Sequence, residues 1–221
     1  MGCTVDVISI GTLSRNPFWG EQGAVRPAHA TTTLIRDGST TILVDPSVPP
    51  EWLSHRLHER AGLKPSQIDA VFLTCFLPVH RRGLALFEKA DWLIHADERS
   101  AIMDYLTAAL AQATGDRESK PVEIEEELAL LRRTRPAPDK LASGVDLFPS
   151  PGVTPGTCGL LVAGTRTPIV AGDAVLTRDH YENARVYERC VDADKARRSF
   201  AEIVEAAEII VPGHDNLIFT L

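Results

Sequence analysis

Basic residues are scarce in this chain. Lysine and arginine together number 23 against 30 aspartates and glutamates, for a formal net charge of −7 over 221 residues. A field of that sign repels nucleic acid and anionic membranes, so neither is expected as a partner, although a local basic patch could still hold a small anion. Cysteine is sparse as well. Cys3, Cys75, Cys158 and Cys190 are the only four, and no two are spaced as a C-x-x-C pair. A chain of this length needs no disulfide staples, so free thiols in a reducing compartment are expected. No apolar run is long enough to span a bilayer. The opening MGCTVDVISIGT has neither a basic start nor a long apolar stretch, and Asp6 stands where an N-myristoylation signal prefers Ser or Thr. No leader is expected, and the location expected is cytoplasmic. What is present, 44% hydrophobic and 24% charged residues, is the composition of an ordinary globular chain.

The apolar pattern predicts strands alternating with helices. Residues 5–10 read as a strand, and TTLIRDGSTTILVD places two β-branched runs around Asp37-Gly38, a hairpin signal. Pro49-Pro50 opens a helix with Trp52, Leu53, Leu57 and Ala61 on one face, and Gly62 ends it. Further strands are predicted over 70–74, 92–96, 145–148, 160–163, 168–171 and 209–211. Helices are predicted over 81–89, from a cap at Asp97 or Ser100 to a stop at Gly115, and over the amphipathic DADKARRSFAEIVEAAE. Residues 121–139 are the most polar part. There EIEEELALLRR puts acids first and bases last, as the helix dipole favours, so 116–140 reads as a surface helical insertion or lid. The whole of 1–221 reads as one domain of mixed sheets covered by helices, with 4–100 and 145–214 as two loosely similar halves.

Four predicted strands end on residues that can carry chemistry: Asp45 in ILVDPS, His80 in FLTCFLPVH, Asp173 in IVAGDAV and His214 in IIVPGHD. Sites in α/β proteins gather where strands run into loops. Two imidazoles and a carboxylate are a donor set for zinc, iron or manganese, and a three-ligand set leaves positions for water and substrate. Each residue also has a purely structural reading. Asp45 could close a turn before Pro46, and Asp173 after Gly172 could be a turn or cap. His80 could simply begin a helix, and His214 could be a loop histidine.

On these residues the sequence resembles the metallo-β-lactamase fold superfamily of metal-dependent hydrolases, over roughly residues 5–215. ILVDPS looks like that family's apolar strand ending in Asp, and DAVFLTCFLPVHRRGLALF like its strand, T-H-x-H-x-D-H loop and helix. SPGVTPGTCGLLV looks like its P-G-H-T-P-G-H loop, IVAGDAV like its G-D strand end, and VPGHD like its final P-G-H. The resemblance implies a four-layer αββα sandwich of two mixed β-sheets flanked by helices, an α/β fold with metal at one edge between the sheets. It places the three histidines of the family's first metal site on Cys75, Leu77 and Val153. The second-site ligands fall on Val79, His80 and His214, and the bridging carboxylate on Asp173. The implied site is therefore altered: one divalent ion, zinc before iron or manganese, on His80, Asp173 and His214, with Cys75 a possible fourth ligand, or no metal at all. The catalytic residues implied are Asp173 and His80, with Asp45 supporting them from behind. Arg81 and Arg82 are candidates to clamp an anionic small-molecule substrate, and His180 and His29 to line the pocket. The activity implied is hydrolysis of a small ester, lactone, thioester or phosphoester. The alternative is a metal-free binding or scaffold protein, and a homodimer is open in either case.

Overall fold

Alternation along the strands decides how the layers stack. The structure, a computed structural model, describes residues 2–113 and 119–220. Its first sheet runs in the order β1 (Thr4–Ser9), β2 (Thr32–Asp37), β3 (Thr40–Val44), β4 (Ala70–Leu73), β5 (Asp91–Ile94) and β6 (Arg135–Pro136). The second comprises β7 (Lys140–Ala142), β8 (Val145–Pro149), β9 (Cys158–Val162), β10 (Pro168–Gly172), β11 (Ile209–Pro212) and β12 (Ile218–Phe219), also side by side in chain order. Both sheets are mixed. β3 to β6 are parallel neighbours in the first, and β10 and β11 are parallel in the second.

Successive side chains of a strand point to opposite faces. Leu34, Leu43, Val71 and Leu73 therefore turn outward, onto Leu53 and Leu57 of α1 (Pro50–Ala61), Leu106 of α2 (Ala96–Gln112) and Leu128 and Leu131 of α3 (Ser119–Arg133). Their neighbours Ile35, Ile42, Val44 and Phe72 turn inward and meet Leu160, Val162, Val170 and Val211 of the other sheet. Ile169, Ala171 and Ile210 face away from that interface, against Phe200 and Ile203 of α5 (Ala193–Ala206). The result is the αββα sandwich. A one-residue slip in any inner strand would exchange its two faces, so the apolar pattern also pins the register.

Several local expectations change. Residues 81–89 do not form an α-helix; only a 3-10 turn at Leu84–Phe87 remains. The Gly83 N–H bonds back to the Pro46 carbonyl at 2.8 Å rather than joining a helical ladder, and Leu84 and Phe87 are drawn into the outer core. α2 begins at Ala96 with the His95 side chain as its cap, not at Asp97 or Ser100. Its expected stop at Gly115 lies outside the described residues. The polar segment does form a helix, α3, but Leu128 and Leu131 bury one side of it, and no described residue of it lines the main cavity. The short strands β6, β7 and β12 and the five-residue helix α4 (Arg178–Glu182) were not expected. All four cysteines are free. No helix among the described residues is long and apolar enough to cross a membrane.

Candidate metal centre

Parallel strands bring their C-terminal ends side by side, and here two such pairs do so from opposite sheets. β3 delivers Asp45, β4 delivers Thr74 and Cys75 and then the loop to His80, β10 delivers Asp173, and β11 delivers His214. A backbone bond from the Cys158 N–H to the Thr74 carbonyl, 3.0 Å, joins the two sheets at this point.

Asp45 sits in left-handed backbone (φ 50°) and is buried. Its Oδ1 accepts from the Thr74 N–H at 2.9 Å and its Oδ2 from the Thr74 hydroxyl at 2.6 Å. The same Oδ2 lies 2.9 Å from Nδ1 of His80. Nδ1 of His214 lies 2.9 Å from the His29 carbonyl and 3.2 Å from that of Thr12. Carbonyls and carboxylates accept, so in both rings Nδ1 carries the hydrogen and Nε2 is the free position.

Both Nε2 atoms face one carboxylate. His80 Nε2 is 3.3 Å from Oδ2 of Asp173, and His214 Nε2 is 3.2 Å from Oδ1. The rings meet edge to face, 5.7 Å between centroids. Two glycines make this approach possible. A Cβ on Gly213 would stand 2.2 Å from Asp173 Oδ1, and one on Gly172 (φ 53°) would stand 2.5 Å from the Thr74 hydroxyl.

Among the described residues, His80 Nε2 and Asp173 Oδ1 are buried without a hydrogen-bond partner. Two imidazole lone pairs turned on a carboxylate repel it, and an unsatisfied buried polar atom costs about 1–3 kcal/mol. A cation between them removes both costs, so the residues fit a metal ion. The Sγ of Cys75 is within reach: it and the donor atoms of His80 and Asp173 all lie within 4.8 Å of one another. Without metal the same field favours a proton on His80. Burial opposes charge on His80, but the carboxylates of Asp173 and Asp45 outweigh it and push its pKa well above the ordinary histidine value. Burial would likewise raise Asp173, yet His80 and His214 hold its carboxyl far below the usual carboxylate range. Burial pushes the Cys75 thiol up to about 11.

Asp173 and His214 lie in the wall of a cavity of about 1130 Å³, beside Leu77 and Val79. His180 lines it too, with Nδ1 2.7 Å from the Thr177 hydroxyl and its ring edge-on to Phe18. Burial lowers its pKa, which favours a neutral ring. The other candidates lie elsewhere. Arg81 is buried, donates from Nε to the Phe76 carbonyl at 2.8 Å, covers the Phe76 ring and pairs with Glu127 of α3. Arg82 is exposed, and neither arginine lines the cavity. The His29 ring lies 3.1 Å from the Ile10 carbonyl, and it is the His29 backbone that reaches His214.

Six contributors were missed in the sequence. Thr74 grips Asp45 through two atoms. Glu98, fully buried, accepts the Phe76 N–H on one oxygen and the Gly156 N–H on the other, each at 3.0 Å, so it ties the loop after β4 to the loop after β8. Arg15, Arg185, Arg189 and Arg197 line the cavity. No local sequence signal marks them: Thr74 and Glu98 act on residues distant in the chain, and the arginines come to the cavity from separate stretches.

A model of the metallo-beta-lactamase superfamily matches residues 25–214. No curated protein sequence matches the chain. Among solved structures, a candidate metallo-β-lactamase from Thermotoga maritima superposes with a TM-score of 0.72 at 15% identity, covering 99% of this chain and 100% of that one. AidC, a dizinc quorum-quenching lactonase in complex with a product, gives 0.69 at 16% identity over 99% of this chain and 87% of its own. AiiA of B. thuringiensis, with N-decanoyl-L-homoserine at its active site, gives 0.64 at 19% identity over 97% and 93%. At these identities the structural likeness is one of fold.

Proposed function

The chain belongs to the metallo-β-lactamase superfamily, and from that membership we propose that it is a metal-dependent hydrolase of a small ester, lactone, thioester or phosphoester, working with one divalent ion. The observation that carries this reading is the pair of buried imidazoles turned, Nε2 first, on the single carboxylate of Asp173. His80, Asp173 and His214 would hold the ion, with Cys75 beside them. The mixed nitrogen, oxygen and sulfur set favours zinc over iron or manganese.

When bound, such an ion polarises a carbonyl or phosphoryl oxygen and lowers the pKa of water at its open position. The chain's own residues supply the rest. Asp45 fixes the tautomer and plane of His80. The carbonyls of His29 and Thr12 do the same for His214. Val79 stands where the family has an aspartate, so it offers no carboxylate to orient the attacking water. Asp173, whose Oδ1 has no hydrogen-bond partner among the described residues, would take that role. Leu77 and Val79 keep this part of the cavity wall apolar.

Turnover of a panel of aryl esters, lactones and phosphoesters, before and after chelation, tests the proposal. Activity that falls with the chelator, returns with Zn²⁺ and is absent in Asp173→Ala supports it. A second reading, a metal-free binding protein, is favoured by the raised pKa of His80, which lets a proton fill the ion's place. Absence of turnover with every divalent metal tried would favour that reading instead.

A further inference from the structure

The chain carries a net charge of −7, yet its large cavity is bordered by arginines. Arg15, Arg185, Arg189 and Arg197 line it, with Glu188 and the deeper Asp173 as its only acids among the described residues. Two of the four are neutralised locally. Arg15 pairs with Glu188 at 2.7 Å, and Arg197 pairs with Asp194. Arg185 and Arg189 are exposed and have no ion pair among the described residues. Both follow α4 on the stretch that also brings Val186 and Tyr187 to the cavity. The rest of the wall is mixed: Ser14, Gln22, Tyr187 and His180 are polar, and Leu13, Phe18, Leu77, Val79, Leu176 and Val186 supply apolar surface.

A cavity with apolar surface on its wall and exposed, unpaired cations on its border selects a ligand with both features. We propose that the cavity takes a small amphiphile: an apolar chain laid against Leu13, Phe18, Leu77 and Val186 and a carboxylate or phosphate held by Arg185 and Arg189. This inference rests on the hydrolase reading for its meaning as a substrate class. Binding itself needs no metal, so the two can fail separately. It also moves the anion-binding role from Arg81 and Arg82, which do not line the cavity, to arginines that no motif marks.

Calorimetric titration of the metal-free protein with decanoate, decyl phosphate and decanol, each below its micelle concentration, tests it. Both anions are expected to bind more tightly than decanol, and a preference between them tells carboxylate from phosphate. Arg185→Ala/Arg189→Ala should weaken anion binding by about fivefold, the scale of two exposed ion pairs, and leave decanol unchanged. Added salt should reproduce that loss in the parent. Shortening decanoate to octanoate should cost about two- to fourfold per methylene if the chain lies on that apolar surface. Arg60→Ala, an exposed charge on α1 that does not line the cavity, serves as the control. Equal affinity for decanoate and decanol, an equal effect of Arg60→Ala, or no chain-length dependence would overturn the proposal.

Discussion

The two nitrogens of His80 have different tasks: Nδ1 is held by Asp45 and Nε2 is aimed at Asp173. Metal can reach Nε2 only after its proton leaves. Because the pKa of His80 is raised, that proton is held to higher pH than on an ordinary imidazole. Zinc affinity, measured against a chelator of known strength, is expected to keep climbing above the ordinary histidine value of about 6.5, at up to roughly tenfold per unit. A flat profile there would contradict the assignment. In the metal-free protein the linkage has two sides. His80, raised, contributes stability that is full below its ordinary value of about 6.5 and is lost as pH rises through the raised value. Asp173, lowered, contributes stability present above about pH 4 and lost as pH falls. Melting temperature should therefore be highest between those limits. Removing the support is a further test. Asp45→Ala leaves the Thr74 N–H and the His80 ring without their acceptor, for an expected loss of about 2–4 kcal/mol and about 10–100-fold in metal affinity. At this scale the sequence was readable where a motif marked a strand end, as at Asp45, His80, Asp173 and His214. Thr74 as the partner of Asp45 was not, since the two stand 29 positions apart and only the sheet joins them.

Elements matter here chiefly through the loops they launch. The loop carrying Cys75 and His80 is tied to the loop after β8 by Glu98, which rises from the first turn of α2. Glu98→Ala leaves the Phe76 and Gly156 N–H groups buried and unpaired, and should cost about 2–4 kcal/mol in a urea melt. Gly213→Ala acts more locally. Its Cβ cannot coexist with Asp173 Oδ1 at 2.2 Å, so metal binding should fall sharply while the far-ultraviolet circular dichroism is kept. Normal metal binding in that variant would mean that Asp173 is not where the ion binds. The hairpin, α1, α5 and the inner strands were legible because apolar periodicity fixes them. The expected helix at 81–89 failed because tertiary burial of Leu84 and Phe87 outweighed a helical pattern. β6 and β12, of two residues each, are too short to show any period and exist only through their neighbours.

Across the whole molecule the chain divides by order, with β1 to β6 in one sheet and β7 to β12 in the other. The candidate centre draws Asp45, Cys75 and His80 from the first half and Asp173 and His214 from the second. An ion there would join the sheets, and ligand linkage then predicts stabilisation of about 2.7 kcal/mol at a hundredfold excess of free metal over its dissociation constant. Phe72, fully buried between the sheets, measures the apolar share of the same junction, and Phe72→Ala should cost about 3–5 kcal/mol. The sandwich was legible from motif order, whereas the cavity's arginine border was not, because its members come from separate stretches of a chain that is acidic overall. Metal content tests the centre most directly. Elemental analysis of protein purified without added metal, and again after supplementation and desalting, should give about one divalent ion per chain in the parent. It should give far less in His80→Ala and His214→Ala. A parent without metal after supplementation, or both variants retaining it, would contradict the account.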